Sequence, residues 1–84
     1  MVLKAFSVYD DKAKTFNTPF YKHTHGEAER DFKTAVNEVR EGNNLNKYPE
    51  DYDLFFIGEY DDQTGKFEAL STPQHVCKAV MVKH

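Results

Sequence analysis

The chain has no tryptophan, one cysteine, three prolines and four glycines among its 84 residues. Each shortage excludes something. Cys77 alone cannot close an internal disulfide, so a reducing cytoplasm is the expected compartment. The four glycines form neither a GxGxxG turn nor a P-loop, which removes the usual phosphate cradles. No apolar run approaches the ~18 residues of a membrane span, and no secretory signal is read at the start. Positive charge is also short. The formal net charge is −3, and nucleic-acid binders usually carry a positive face.

Aromatic residues are plentiful, with seven Phe and five Tyr in a chain that is 39% hydrophobic. That is enough for one compact core, and one domain over residues 1–84 is expected. A chain of this size buries roughly 60–65% of its unfolded surface, so a large enzyme cavity is not expected.

The charges are unevenly spread. Residues 1–25 carry four lysines against two aspartates, and residues 71–84 carry two lysines and no acid. Between them, residues 26–42 have three basic and five acidic groups, and residues 43–70 have two lysines against seven carboxylates. The ends are basic and the middle is acidic. Adjacent terminal strands would give a basic surface to an acidic protein, although spread charge also serves solubility.

Residues 2–9 (VLKAFSVY) read as a strand, 10–14 as a turn, and 15–23 as a second strand that Pro19 confines to an edge or a bulge. Thr24 and Glu27 form a capping box. After it Ala28, Phe32, Ala35, Val36 and Val39 recur at helical spacing, with Gly42 as the expected stop. Residues 43–53 read as a structured connection, 54–60 (LFFIGEY) as the most apolar strand, and 61–65 as a turn. Residues 66–70 then return as the hairpin partner, 71–74 as another turn, and 76–82 as a last strand or a short helix. The expected core sets Phe32, Val36 and Val39 against Phe55 and Ile57.

One echo runs through the chain. Tyr9-Asp10-Asp11 precedes Phe16 at the same spacing as Tyr60-Asp61-Asp62 precedes Phe67. Two similar hairpin turns explain it, since aspartate carboxylates accept from nearby backbone N–H groups.

Chemistry-bearing clusters are few. Asp10, Asp11, Asp61 and Asp62 are better read as turn formers than as a cation site, because no EF-hand spacing is present. His23 and His25 would need His75, His84 or Cys77 to hold zinc, and no standard ligand spacing occurs. Cys77 lies in an apolar run and reads as a small hydrophobe. No metal, cofactor or catalytic residue is expected, and the chain does not read as an enzyme. On the helix, Arg30, Lys33, Asn37 and Arg40 fall on one stripe, which could face phosphates or simply solvent. Aromatic rings supply stacking surfaces, each base worth roughly 1–3 kcal/mol. Tyr9, Tyr21, Tyr48 and Tyr60, which carry a hydroxyl, are the rings expected outside the core.

The opening LKAFSVYDDKAK, the Pro19-Phe20 pair, the AERDFKTAVNE helix and above all YPEDYDLFFIGEYDDQTGKFE carry a family resemblance. The chain resembles the small nonstructural protein of gokushovirus-type microviruses, which are single-stranded DNA bacteriophages. The resemblance covers residues 3–70 and is poor after Ser71. It implies a protein outside the virion that acts in genome replication, by binding single-stranded DNA or by steering the switch to single-strand synthesis and packaging. It carries no catalytic residues with it.

The resulting expectation is an α+β fold, a four- or five-stranded mainly antiparallel sheet with one amphipathic helix on one face. The chain would be a homodimer in the host cytoplasm that binds single-stranded DNA. Lys4, Lys12, Lys14, Lys22, Arg30, Lys33 and Arg40 would meet phosphates, and Phe6, Tyr9 and Tyr21 would meet bases. The alternative is a protein-interaction module that meets a phage or host replication or assembly factor through the acidic middle.

Overall fold

The computed structural model describes all 84 residues. The strands are β1 (Val2–Asp10), β2 (Thr15–Phe16), β3 (Phe20–Lys22), β4 (Tyr52–Asp61) and β5 (Lys66–Lys78). The helices are α1 (His25–Asn37), α2 (Asn44–Lys47) and α3 (Ala79–Val82), with a 3-10 turn at Pro49–Asp51. Every strand pairing is antiparallel, and the order across the sheet is β2-β1-β4-β5, with β3 also on β1. The α+β expectation is met.

β2 and β3 are two pieces of one edge, broken at Asn17–Pro19 where Pro19 cannot donate to a ladder. Ser7, fully buried, donates its hydroxyl to the Asn17 carbonyl at 2.6 Å and so closes that break. The opposite edge is β5. Phe56 lies opposite Gln74 but Gly58 opposite Ala69, so Leu70–Pro73 leaves the ladder as a wide bulge. The expected turn at residues 71–74 is therefore a bulge within one long strand. The last apolar stretch is strand as far as Lys78 and helix from Ala79.

α1 begins as its cap predicts. The Glu27 N–H donates to Thr24 Oγ1 at 3.1 Å, and the Thr24 N–H donates back to Glu27 Oε1 at 3.2 Å. Ala28, Phe32 and Val36 form the buried stripe. They meet Phe6 and Val8 of β1 with Tyr52, Leu54 and Phe56 of β4 in one core. Two expectations need correction here. Val39 is 85% exposed, because α1 ends at Asn37 rather than running to Gly42. The β4 residues of the core are Tyr52, Leu54 and Phe56, not Phe55 and Ile57. Pairing with β1 shifts register between Ala5 and Phe6, with Ile57 as the extra residue, so Phe55 points to the other face.

Asparagines stop the helix. Asn43 Nδ2 donates to the carbonyls of Ala35 (2.9 Å) and Glu38 (2.7 Å), and Asn46 Nδ2 donates to Val36 (2.9 Å). Asn37 Nδ2 donates to the Lys33 carbonyl at 2.8 Å. These amides supply donors to carbonyls at the helix end, where backbone partners run out, although Ala35 also accepts from the Glu38 N–H at 3.3 Å. Asn43→Ala should cost about 1–3 kcal/mol in urea unfolding, since Asn43 is buried, the Glu38 carbonyl loses its side-chain donor and Ala35 keeps only the long bond from the Glu38 N–H.

The two Tyr-Asp-Asp turns are structural twins. Asp10 and Asp61 each accept at the carbonyl from the N–H four residues on, Lys14 and Gly65, both at 2.8 Å. Their carboxylates accept from the N–H groups of Lys12 and Gln63, both at 2.9 Å. The fourth position of each turn is left-handed, with φ 61° at Lys14 and 74° at Gly65. A side chain there costs roughly 1–2 kcal/mol, partly offset by the greater unfolded-state freedom of glycine. Lys14→Gly should therefore stabilise the fold by up to about 1 kcal/mol, and Gly65→Lys should destabilise it. Urea midpoints of the two variants should move in opposite directions.

Candidate nucleic-acid interface

One helix layer covers one face of the sheet, and the register determines what the other face carries. Leu3, Ala5, Ser7 and Tyr9 of β1 alternate away from the core. Across the ladders they meet Phe16, Tyr21, Asp53, Phe55, Gly58 and Tyr60, and β5 adds Phe67, His75 and Lys78. The rings fall into two groups. Tyr9 packs on Phe16 (4.8 Å between centroids), Phe16 on Phe55 (5.4 Å) and Phe55 on His75 (5.4 Å). Further along, Tyr21 packs on Tyr60 at 5.7 Å, beside Phe67, which pairs with Tyr60. Ala5 and Ser7, both small, lie between the groups and are fully buried. Phe16, Tyr21 and Phe67 are each 43% exposed, which is unusual for rings not covered by helix.

Gly58 makes part of this face possible. A Cβ at that position would sit 2.5 Å from the Glu68 carbonyl and 3.0 Å from the Phe67 ring. Only a residue without a side chain lets β5 and Phe67 lie so close.

Most of the residues expected at phosphates do not share this face. Lys4 and Lys22, opposite each other in β1 and β3, lie on the helix side. Lys4 pairs with Glu59 at 3.5 Å and stands 5.4 Å from the Phe56 ring centroid, while Lys22 pairs with Asp31. The Lys22 ammonium holds the Asp31 carboxyl below its ordinary range. Arg30 and Lys33 stay exposed on α1. Arg40 lies beyond the helix end and pairs with Glu38 at 3.0 Å, which breaks the expected four-residue stripe. Lys12 and Lys14 sit in the first twin turn, where Lys14 pairs with Asp11 at 3.1 Å.

Of the expected stacking residues, Tyr9 and Tyr21 are on the open face. Phe6 is not. It is 0% exposed, between Phe20, His25 and Phe56, and cannot meet a base without unfolding the core. The alternation of β1 gives Phe6 to the helix side along with Val8. Tyr60 lies outside the core as expected, while Phe16, Phe55, Phe67, His75 and Lys78 are not among the residues the sequence singled out for this face. The echo held a signal for two of them, since Tyr9 pairs with Phe16 and Tyr60 with Phe67 across equivalent hairpins.

The other clusters do not assemble. Val2 at one end of β1 pairs with Asp61, and Asp10 at the other end pairs with Tyr52. That separation, about 26 Å of strand, keeps the two aspartate turns apart. The His25 ring packs on Phe56 at 4.8 Å, while His75 Nε2 donates to Asp53 Oδ2 at 2.7 Å, on the other face of the sheet. Cys77 packs against the core edge, and burial pushes its thiol up to about 11. At pH 8 the folded protein should therefore alkylate slowly with iodoacetamide, and urea should accelerate the reaction sharply. Mass spectrometry of timed samples checks this.

No solved structure matches this chain. Among curated proteins, Protein ORF5 of Chlamydia phage 1 is 35% identical over 65 residues, covering 74% of this chain and 67% of that protein. A family model described as Phage ORF5 protein matches residues 3–82, which extends the similarity through β5 and α3, beyond the residues whose resemblance was legible. With nearly the whole chain inside that match, this protein belongs to the Phage ORF5 protein family, small proteins of microviruses.

Proposed function

We propose that this phage protein binds single-stranded DNA without enzymatic activity, in the host cytoplasm, by laying bases against the open aromatic face. The observation that supports the reading is the row of uncovered rings, Phe16, Tyr21 and Phe67 foremost, on the face opposite α1. Unpaired bases offer π-faces to such rings, whereas a duplex hides them. Lys14 and Lys78 lie beside the ring group of Tyr9, Phe16 and Phe55 and can reach phosphates. Their partners, Asp11 and Asp53, are exposed or half-buried, so the pairs exchange readily with a phosphate. Self-association belongs to the same proposal. The outer edge of β5 is unpaired, and C2 dimers are the commonest closed assembly.

One observation favours the protein-interaction reading. Asp10, Glu50 and Asp51 line an open depression with Tyr48 and Tyr52, and with Lys12 as its one cation it stays net acidic and suits a basic protein segment better than DNA.

Fluorescence anisotropy with single- and double-stranded oligonucleotides at two salt concentrations separates the readings, with light scattering on the same samples to weigh a dimer. Single strands should bind more tightly. Phe16→Ala, Tyr21→Ala and Phe67→Ala should each weaken binding about 5- to 100-fold with the salt slope preserved, the signature of lost stacking. Lys14→Glu should flatten the log–log slope by about 0.7 instead. Wild-type protein that leaves micromolar oligonucleotide unbound at low salt would overturn the DNA reading and favour the protein partner.

A further inference from the structure

Lys78 ends β5 on the open face, its Nζ 3.7 Å from Asp53. The chain then makes a single turn, α3, and comes to rest against the far end of α1. Asn37, the last residue of α1, holds it there. Its Nδ2 donates to the Val82 carbonyl at 3.0 Å, and its Oδ1 accepts from the His84 N–H at 2.7 Å. Lys83 is thus pinned on both sides to one helix residue 46 positions earlier.

The same stripe of α1 carries Lys33 and Arg30. At about 100° per residue they fall within about 60° of Asn37, and Arg30 lies roughly 10 Å down the axis. Asn37 Nδ2 also donates to the Lys33 carbonyl. Arg30, Lys33 and Lys83 pair with no carboxylate, unlike Lys4, Lys14, Lys22 and Arg40. Lys12, Lys47 and Lys66 are unpaired as well, but they belong to the first aspartate turn, α2 and the start of β5. The sequence stripe ended in Arg40, and the folded stripe ends in Lys83.

We infer that residues 78–84 form a cationic strap that leads a bound polyanion from the open face, around the α3 end of the sheet, onto Lys33 and Arg30. Asn37 is the positioning residue. The inference rests on the proposed single-strand binding, and it adds that a strand too short to turn that corner is held by the open face alone. A simpler role for Lys83 exists. α1 has no basic residue in its last turn, and a cation there complements the negative end of the helix dipole. That role would register in thermal stability and not in binding.

Oligothymidylates of about six and about twenty nucleotides distinguish these, since single-strand sites span about 4–16 nucleotides per small domain. For the long oligonucleotide, Lys83→Ala and Lys33→Ala should each weaken binding several-fold at low salt. Each should also flatten the log–log salt slope by about 0.7. The short oligonucleotide should bind both variants as it binds wild type. Asn37→Ala, which removes no charge, should lose the Lys83 contribution to affinity and slope for the long one only. If Asn37→Ala fails to fold, the two lysine variants decide. Wild-type affinity and slope in all variants, with or without a lowered thermal midpoint, would overturn the strap and leave the open-face reading standing. Failure of wild-type protein to bind either length would remove that reading, and the strap with it.

Discussion

Phe6 ties the molecule together. Its ring packs on Phe20 at 5.9 Å, on His25 at 5.2 Å and on Phe56 at 5.4 Å, so one side chain of β1 joins β3, the first turn of α1, and β4. A small domain has little core to spare, and burying one aromatic ring contributes several kcal/mol at most. Everything on the outer face follows from that commitment. Once Phe6 and Val8 turn toward α1, Ala5, Ser7 and Tyr9 must turn away, and each ladder passes the choice to the next strand. The bulge at Ile57 then keeps both Phe55 and Tyr60 on the outer face although they stand an odd number of positions, five, apart.

Local chemistry was legible. The Thr24–Glu27 capping box, the amphipathic stripe through Val36, both aspartate turns and the Pro19 edge are each written within a few residues, and each formed. What could not be read depends on distant groups. α1 stops at Asn37 because amides from Asn43 and Asn46 take its last carbonyls, and nothing in the helical periodicity marks them. Assigning Phe55 rather than Phe56 to the core differs by one step of strand phase, and that phase depends on a bulge which periodicity does not reveal. The same one-step ambiguity placed Phe6 among the candidate stacking residues. For the candidate site, residue type did not reveal which face of the sheet each side chain takes. Lys4 and Lys22 lie on the opposite side of the sheet from Tyr9 and Tyr21.

The charge distribution gains meaning from this segregation. The net charge of −3 describes a molecule that answers Lys4, Lys22 and Arg40 internally, through Glu59, Asp31 and Glu38. Each exposed pair contributes on the order of 1 kcal/mol or less to folding, so their importance lies in which cations they occupy. Sums over sequence segments cannot show this. The basic N-terminal segment is largely paired within the fold, and the unpaired cations are Lys12, Lys47 and Lys66 together with Arg30 and Lys33 on α1 and Lys83 near the C-terminal end.

The asparagine clasp at the end of α1 has a consequence for the protein's chemical lifetime. Asn37, Asn43 and Asn46 all act as donors to backbone carbonyls through an NH2 group. Hydrolysis of a side-chain amide to aspartate leaves a group that at neutral pH only accepts. A deamidated Asn43 would point negative charge at two carbonyl oxygens, beside the negative end of the helix. The clasp is thus also a clock. Ageing at one amide would loosen the helix end, the turn that follows it and, at Asn37, the last residues of the chain.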